Sequence, residues 1–177
     1  MVKVLALLSS PHPNSTTAKL LNAVIEGAKE NGAEVELVHL TNIKPCIDCR
    51  ACNKLGYAKC AQKDQMTELL PKIHEADVLI HATPVYFFAV NAVMKAYLER
   101  WTPFYDAEWN LLPENNFKNK RAITIITSGS PECGPAAATP FRETYKFAGI
   151  QTIGEIFATA ENLEEKLKEA KALGKKI

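Results

Sequence analysis

No stretch of the 177-residue chain approaches the roughly 20 consecutive apolar residues that cross a bilayer. Nor is there an excess of one charge: 21 Lys and Arg against 20 Asp and Glu leave +1. The first absence points away from a membrane partner, the second away from nucleic acid or an anionic surface as the main partner. Internal repeats, low-complexity linkers and shifts of composition are also lacking, so residues 1–177 read as a single domain. The opening apolar run stops at Ser9-Ser10-Pro11, short of the roughly 7 to 15 apolar residues of a secretory segment, and a cytoplasmic protein is expected. The common phosphate fingerprints are missing too, with no G-x-G-x-x-G and no G-x-x-x-x-G-K-[ST]. No cysteine is followed six residues later by arginine, which excludes the small tyrosine phosphatases. The first apolar run ends in serines where a receiver domain would place acidic metal ligands.

What is present is a foldable core. At 47% apolar and 23% charged residues, a chain of this length buries roughly 70% of its extended surface. Five short apolar or β-branched runs, 3–8, 34–40, 77–82, 122–127 and 152–157, alternate with helical patterns over about 15–31, 65–75, 89–101, 136–148 and 162–173. Strands separated by helices imply right-handed crossovers and a parallel sheet. The expected fold is therefore a doubly wound α/β domain. Two connections are long, 41–64 and 102–119, and loops of that length inside a compact domain are usually functional.

In such a sheet, ligands bind beyond the carboxyl ends of the strands. The first turn, Ser10-Pro11-His12-Pro13-Asn14-Ser15-Thr16-Thr17, carries four hydroxyl side chains into a helix, where free N–H groups and the helix dipole attract phosphate. One hydroxyl is needed as a helix cap; four exceed that need. The turn after the third run, Thr83-Pro84-Val85-Tyr86-Phe87-Phe88, offers aromatic surface for a flat ring, although some of these rings can equally close the core. A third turn, Ser128-Gly129-Ser130-Pro131, should line the same crevice. Flavin mononucleotide fits the set, its phosphate at the first turn and its isoalloxazine at the second.

Cys46, Cys49, Cys52 and Cys60 spell C-x2-C-x2-C-x7-C within the first long connection. Three thiolates at three-residue steps with a fourth beyond a turn can hold an iron-sulfur cluster. The last gap is longer than in the bacterial ferredoxin run, and Ala61 stands where proline is usual there. Free thiols and zinc are the alternatives, although zinc more often takes two separated C-x-x-C knuckles. Because this loop leaves the second strand at the ligand end, it is expected beside the phosphate turn.

On Ser9-Ser10-Pro11-His12 with Asn14-Ser15-Thr16-Thr17, on Lys44-Pro45-Cys46-Ile47-Asp48-Cys49 and on Thr83-Pro84-Val85-Tyr86-Phe87, the chain resembles the NADPH-dependent FMN reductase superfamily and, within it, the iron-sulfur flavoproteins. His12 stands where arginine is usual, and Ser9 and Ser15 where glycines are common. The resemblance implies a flavodoxin-like five-stranded sheet in the order 2-1-3-4-5. It implies FMN bound through Ser10, His12, Asn14, Ser15, Thr16, Thr17, Pro84, Val85, Tyr86, Phe87, Ser128 and Gly129, a [4Fe-4S] cluster on the four cysteines, and electrons from NAD(P)H or ferredoxin. No side chain is expected to act as catalytic acid or base, because the flavin carries the chemistry. Family members are commonly dimers or tetramers. Trp101, Phe104, Tyr105, Trp109 and Phe117, crowded near one connection, are the expected homo-oligomer surface, or else a lid over the flavin.

Overall fold

A computed structural model describes residues 1–177. In chain order the elements are β1 (Lys3–Leu8), α1 (Thr16–Glu30), β2 (Glu34–His39), α2 (Cys52–Leu55), α3 (Met66–Glu75), β3 (Val78–Tyr86), β4 (Ala89–Val90) and α4 (Ala92–Glu99). They continue with β5 (Arg121–Thr127), α5 (Cys133–Ala137), α6 (Thr139–Ala148), β6 (Gln151–Ala158) and α7 (Leu163–Gly174). The sheet runs β2-β1-β3-β5-β6, every pair parallel, while β4 pairs only with the end of β3 in an antiparallel hairpin. With that two-residue strand set aside, the five long strands lie in the expected flavodoxin-like order.

Alternation along the central strands sorts their side chains to two faces. Val4, Ala6 and Leu8 of β1, with Val78, Ile80 and Ala82 of β3, pack under α1 and α7; Leu5, Leu7 and Leu79 pack under α3, α4 and α6. On the first face α1 and α7 touch backbone to backbone at Gly27 and Gly174. A Cβ on Gly27 would meet the Lys171 carbonyl, and one on Gly174 the Val24 carbonyl. Lys171 clasps the same helices together from outside through Glu26 at 2.7 Å and Glu30 at 2.8 Å. No helix is long and apolar enough to cross a membrane.

The structure corrects three expectations. The fourth helix does not begin at Ala89: the third strand runs on through Thr83 and Pro84 to Tyr86, turns at Phe87-Phe88, and only then gives way to α4, capped by Asn91. The helix read over 136–148 starts earlier and divides at Ala138, with Pro140 at the head of its second part. Trp101, Phe104, Tyr105 and Phe117 do not form an exposed surface. They are buried in the chain's own core, Phe104 and Phe117 with ring centroids 4.9 Å apart, and of the five aromatics only Trp109 is half exposed. The second long connection is aromatic because it closes the core beneath α4.

Candidate functional site

β1 and β5 end alongside the last third of β3, Leu8 opposite Ala82 and Thr127 opposite Pro84, so the three following turns share one edge. At the first turn Ser15 caps α1, its hydroxyl accepting from the Ala18 N–H at 3.2 Å. The N–H groups of Thr16 and Thr17 have no partner in the chain. Ser10 folds its hydroxyl back onto His12, accepting its N–H at 3.3 Å, and His12 and Asn14 stand exposed outside the helix start. The Thr17 side chain is buried, and its hydroxyl meets that of Thr127 at 2.6 Å, joining the first turn to the end of β5.

At the second turn Pro84 and Val85 are partly buried and Tyr86 is half exposed, whereas Phe87 is 99% exposed and Phe88 75%. Phe87 and Phe88 have φ of 49° and 65°. A two-residue hairpin loop with positive φ at both positions normally takes Asn-Gly, and side chains such as phenylalanine are strained there. At the third turn Ser128 donates its hydroxyl to the Ser130 carbonyl at 2.6 Å, with Gly129 exposed beside it.

Two residues that the sequence reading passed over join these turns. Asn91 caps α4 by accepting from Met94 N–H at 3.0 Å and donates its amide to the Ser9 carbonyl at 2.6 Å. His39, at the end of β2, bonds the Ser10 carbonyl. Ser9, Pro11, His39, Thr41, Tyr86 and Asn91 line a cleft of about 390 Å³ at this edge, within the range of small-molecule sites. A larger cavity of about 640 Å³ lies elsewhere, between α3 and residues 55–63. Asn91 was legible in principle, as an asparagine directly before a helical pattern.

All four cysteines Cys46, Cys49, Cys52 and Cys60 line one small pocket, closed by Arg100, Thr102 and Pro103. Their thiols do not converge on a point that a single ion could occupy. Burial pushes the Cys52 thiol up. The pocket lies at the end of α4 opposite to Asn91. Arg100, just past α4, donates to the Lys44 carbonyl at 2.9 Å and to Asp64 at 2.8 and 3.2 Å, and Cys46 N–H donates to Glu99 at 3.3 Å. These bonds draw the loop along α4, one eight-residue helix, about 12 Å, from Asn91.

This sheet edge carries a hydroxyl-rich turn running into a helix, and residues 2–165 match the family of NADPH-dependent FMN reductases. The chain belongs to that family. An iron-sulfur flavoprotein of Archaeoglobus fulgidus is 31% identical over 99% of this chain and 79% of its own length. Another, from Methanocaldococcus jannaschii, is 36% identical over 58% of this chain and 53% of its own, so the match spans about half of that relative. Among solved structures, an FMN-dependent NADH-azoreductase of Bacillus anthracis in complex with FMN superposes with a TM-score of 0.74 at 18% identity, covering 99% of both chains; that likeness shows the shared fold. For an FMN reductase family member the orphaned N–H pair and the exposed hairpin flank the edge where a flavin nucleotide is to be sought.

Proposed function

We propose that this family member is an NAD(P)H-dependent oxidoreductase that binds FMN at the carboxyl edge of its sheet and carries a [4Fe-4S] cluster on Cys46, Cys49, Cys52 and Cys60. The observation that carries the proposal is the pair of unpartnered N–H groups at Thr16 and Thr17, heading a fifteen-residue helix directly after the hydroxyl of Ser15. Such a helix start takes a phosphate through its N–H groups and its dipole. Ser15 accepts from Ala18 and keeps its own O–H free to donate.

Bound FMN supplies hydride acceptance and the passing of electrons singly or in pairs. The chain's residues bind and orient it. Ser10, His12, Asn14, Ser15 and the N–H groups of Thr16 and Thr17 take the phosphate. Pro84, Val85, Tyr86 and Phe87 take the ring, with Ser128 and Gly129 across from them. Strain held in an exposed aromatic turn supports a binding role for the hairpin, since strained backbone gathers at functional sites. Tyr86 also lines the cleft beside Asn91.

The reading of the cysteine pocket as a cluster site rests on its lining: all four thiols are gathered there with Arg100, whose buried Nε has no partner. Electrons would come from NADPH, NADH or a ferredoxin. The deciding experiment is anaerobic mixing of the FMN-loaded protein with each donor while the flavin absorbance is followed. A nicotinamide is expected to bleach it. A protein with no affinity for FMN, or one that no donor bleaches, refutes the proposal.

A further inference from the structure

We infer that Arg100 is a positioning residue for the group held in the cysteine pocket, its Nε–H donating to a sulfur of that group and making its reduction easier. The inference rests on the iron-sulfur proposal above and adds a residue outside the cysteine motif.

The guanidinium of Arg100 is buried, its side chain only 1% exposed. Two of its nitrogens are committed: Nη1 donates to Asp64 Oδ2 at 2.8 Å and to the Lys44 carbonyl at 2.9 Å, and Nη2 donates to Asp64 Oδ1 at 3.2 Å. That fork fixes the plane of the group and hence the direction of Nε. Nε has no partner, and a buried donor left unpaired is costly unless something not yet counted satisfies it. Arg100 lines the cysteine pocket and Asp64 does not, so the ion pair turns its cationic side toward the thiols.

The other charged residues of the lining, Asp48 and Arg50, are engaged with each other at the exposed rim. Glu99 accepts from Cys46 N–H while pairing with Lys95. Arg100 is thus the buried cation facing the sulfurs. When one electron is added from a reductant, the bound group gains one negative charge and no proton is required. Hydrogen bonds and positive charge beside the sulfurs favour that form and set the potential.

The test compares the full-length protein with Arg100→Lys, which keeps the charge and can still pair with Asp64 but lacks Nε. A second variant, Arg100→Met with Asp64→Leu, replaces the buried pair by apolar side chains, a change folds often accept. Each is loaded anaerobically with ferrous iron and sulfide, assayed for iron, checked by circular dichroism, and titrated with dithionite in the presence of mediators. The wild type is expected to hold about four irons. Both variants are expected to retain them and to be reduced at a potential lower by at least a tenfold change in equilibrium, about 59 mV for one electron. Wild-type protein that takes up no iron overturns the cluster proposal and this inference with it. Iron-loaded variants with an unchanged potential overturn the inference alone. Folded variants that no longer hold iron also overturn it, making Arg100 a brace for the loop.

Discussion

Ser15 and Thr17 lie two residues apart at the start of α1 and face opposite ways. Ser15 caps the helix from the ligand edge, whereas Thr17 sends its hydroxyl into the core to Thr127. A sequence shows four hydroxyls in a row of eight residues but not which of them the helix turns inward; the rotation of the first helical turn decides that. Ser15→Ala removes a cap, worth about 1 kcal/mol, together with a phosphate donor. It is expected to weaken FMN more than riboflavin, which lacks the phosphate. Thr17→Val leaves the Thr127 hydroxyl without its partner and is expected to cost about 1–3 kcal/mol of stability, while its unpartnered N–H is kept. Its losses of FMN and riboflavin affinity should therefore be equal. Urea unfolding and titration with the two flavins separate these outcomes, and a selective FMN loss in Thr17→Val would return that hydroxyl to the phosphate site.

Among the elements, the five long strands were legible because buried parallel strands read as continuous apolar runs between helical patterns, whereas their order came with the family resemblance. The hairpin was not. Thr83-Pro84-Val85-Tyr86 looks like a turn, since proline is rare within strands, yet β3 continues through it on the way to an edge-like hairpin. Phe87-Phe88 carries no turn signal of its own, so β4 stayed hidden. The cysteine pocket was legible as a set of four thiols but not in its position, because the residues that place it, Asp64 and Arg100, are far apart in sequence and buried as a pair. Replacing Phe87→Asn together with Phe88→Gly gives the loop the residues its backbone asks for. Relief of strain worth roughly 1–3 kcal/mol per residue should raise the urea midpoint of the flavin-free protein while FMN affinity falls. If affinity is unchanged, the hairpin is not the ring's seat. On the opposite face, Gly27→Ala drives a methyl into the Lys171 carbonyl and is expected to cost about 1–3 kcal/mol, seen as a lower midpoint with flavin binding intact.

At the scale of the whole molecule, α4 links the two functional ends: Asn91 ties its start to the strand edge and Arg100 ties its end to the cysteine pocket. Between them, α4 and α6 close over His81, in the middle of β3. The ring is buried among Tyr97, Trp101, Phe141 and Tyr145, with one nitrogen 2.6 Å from the Tyr145 hydroxyl and the other 3.2 Å from the Tyr97 hydroxyl. A neutral imidazole, one donor and one acceptor, satisfies both. Burial pushes its pKa down to about 3, so in the folded protein it stays neutral and takes no part in proton transfer at the edge. In the unfolded chain it titrates near 6.5. Between those values the unfolded state binds the extra proton, so stability rises with pH there and falls as acid is added. At 1.36 kcal/mol per unit the loss reaches on the order of 4 kcal/mol by pH 3, comparable with the total stability of a marginal domain. The wild type should therefore lose stability steadily below about pH 6.5, measured as the urea unfolding free energy at successive pH values. His81→Gln, which can still meet one tyrosine hydroxyl, should be less stable at pH 7 by about 1–3 kcal/mol yet flatter across pH 6.5 to 4. A variant with the same slope as the wild type would locate the acid sensitivity elsewhere and leave His81 as packing alone.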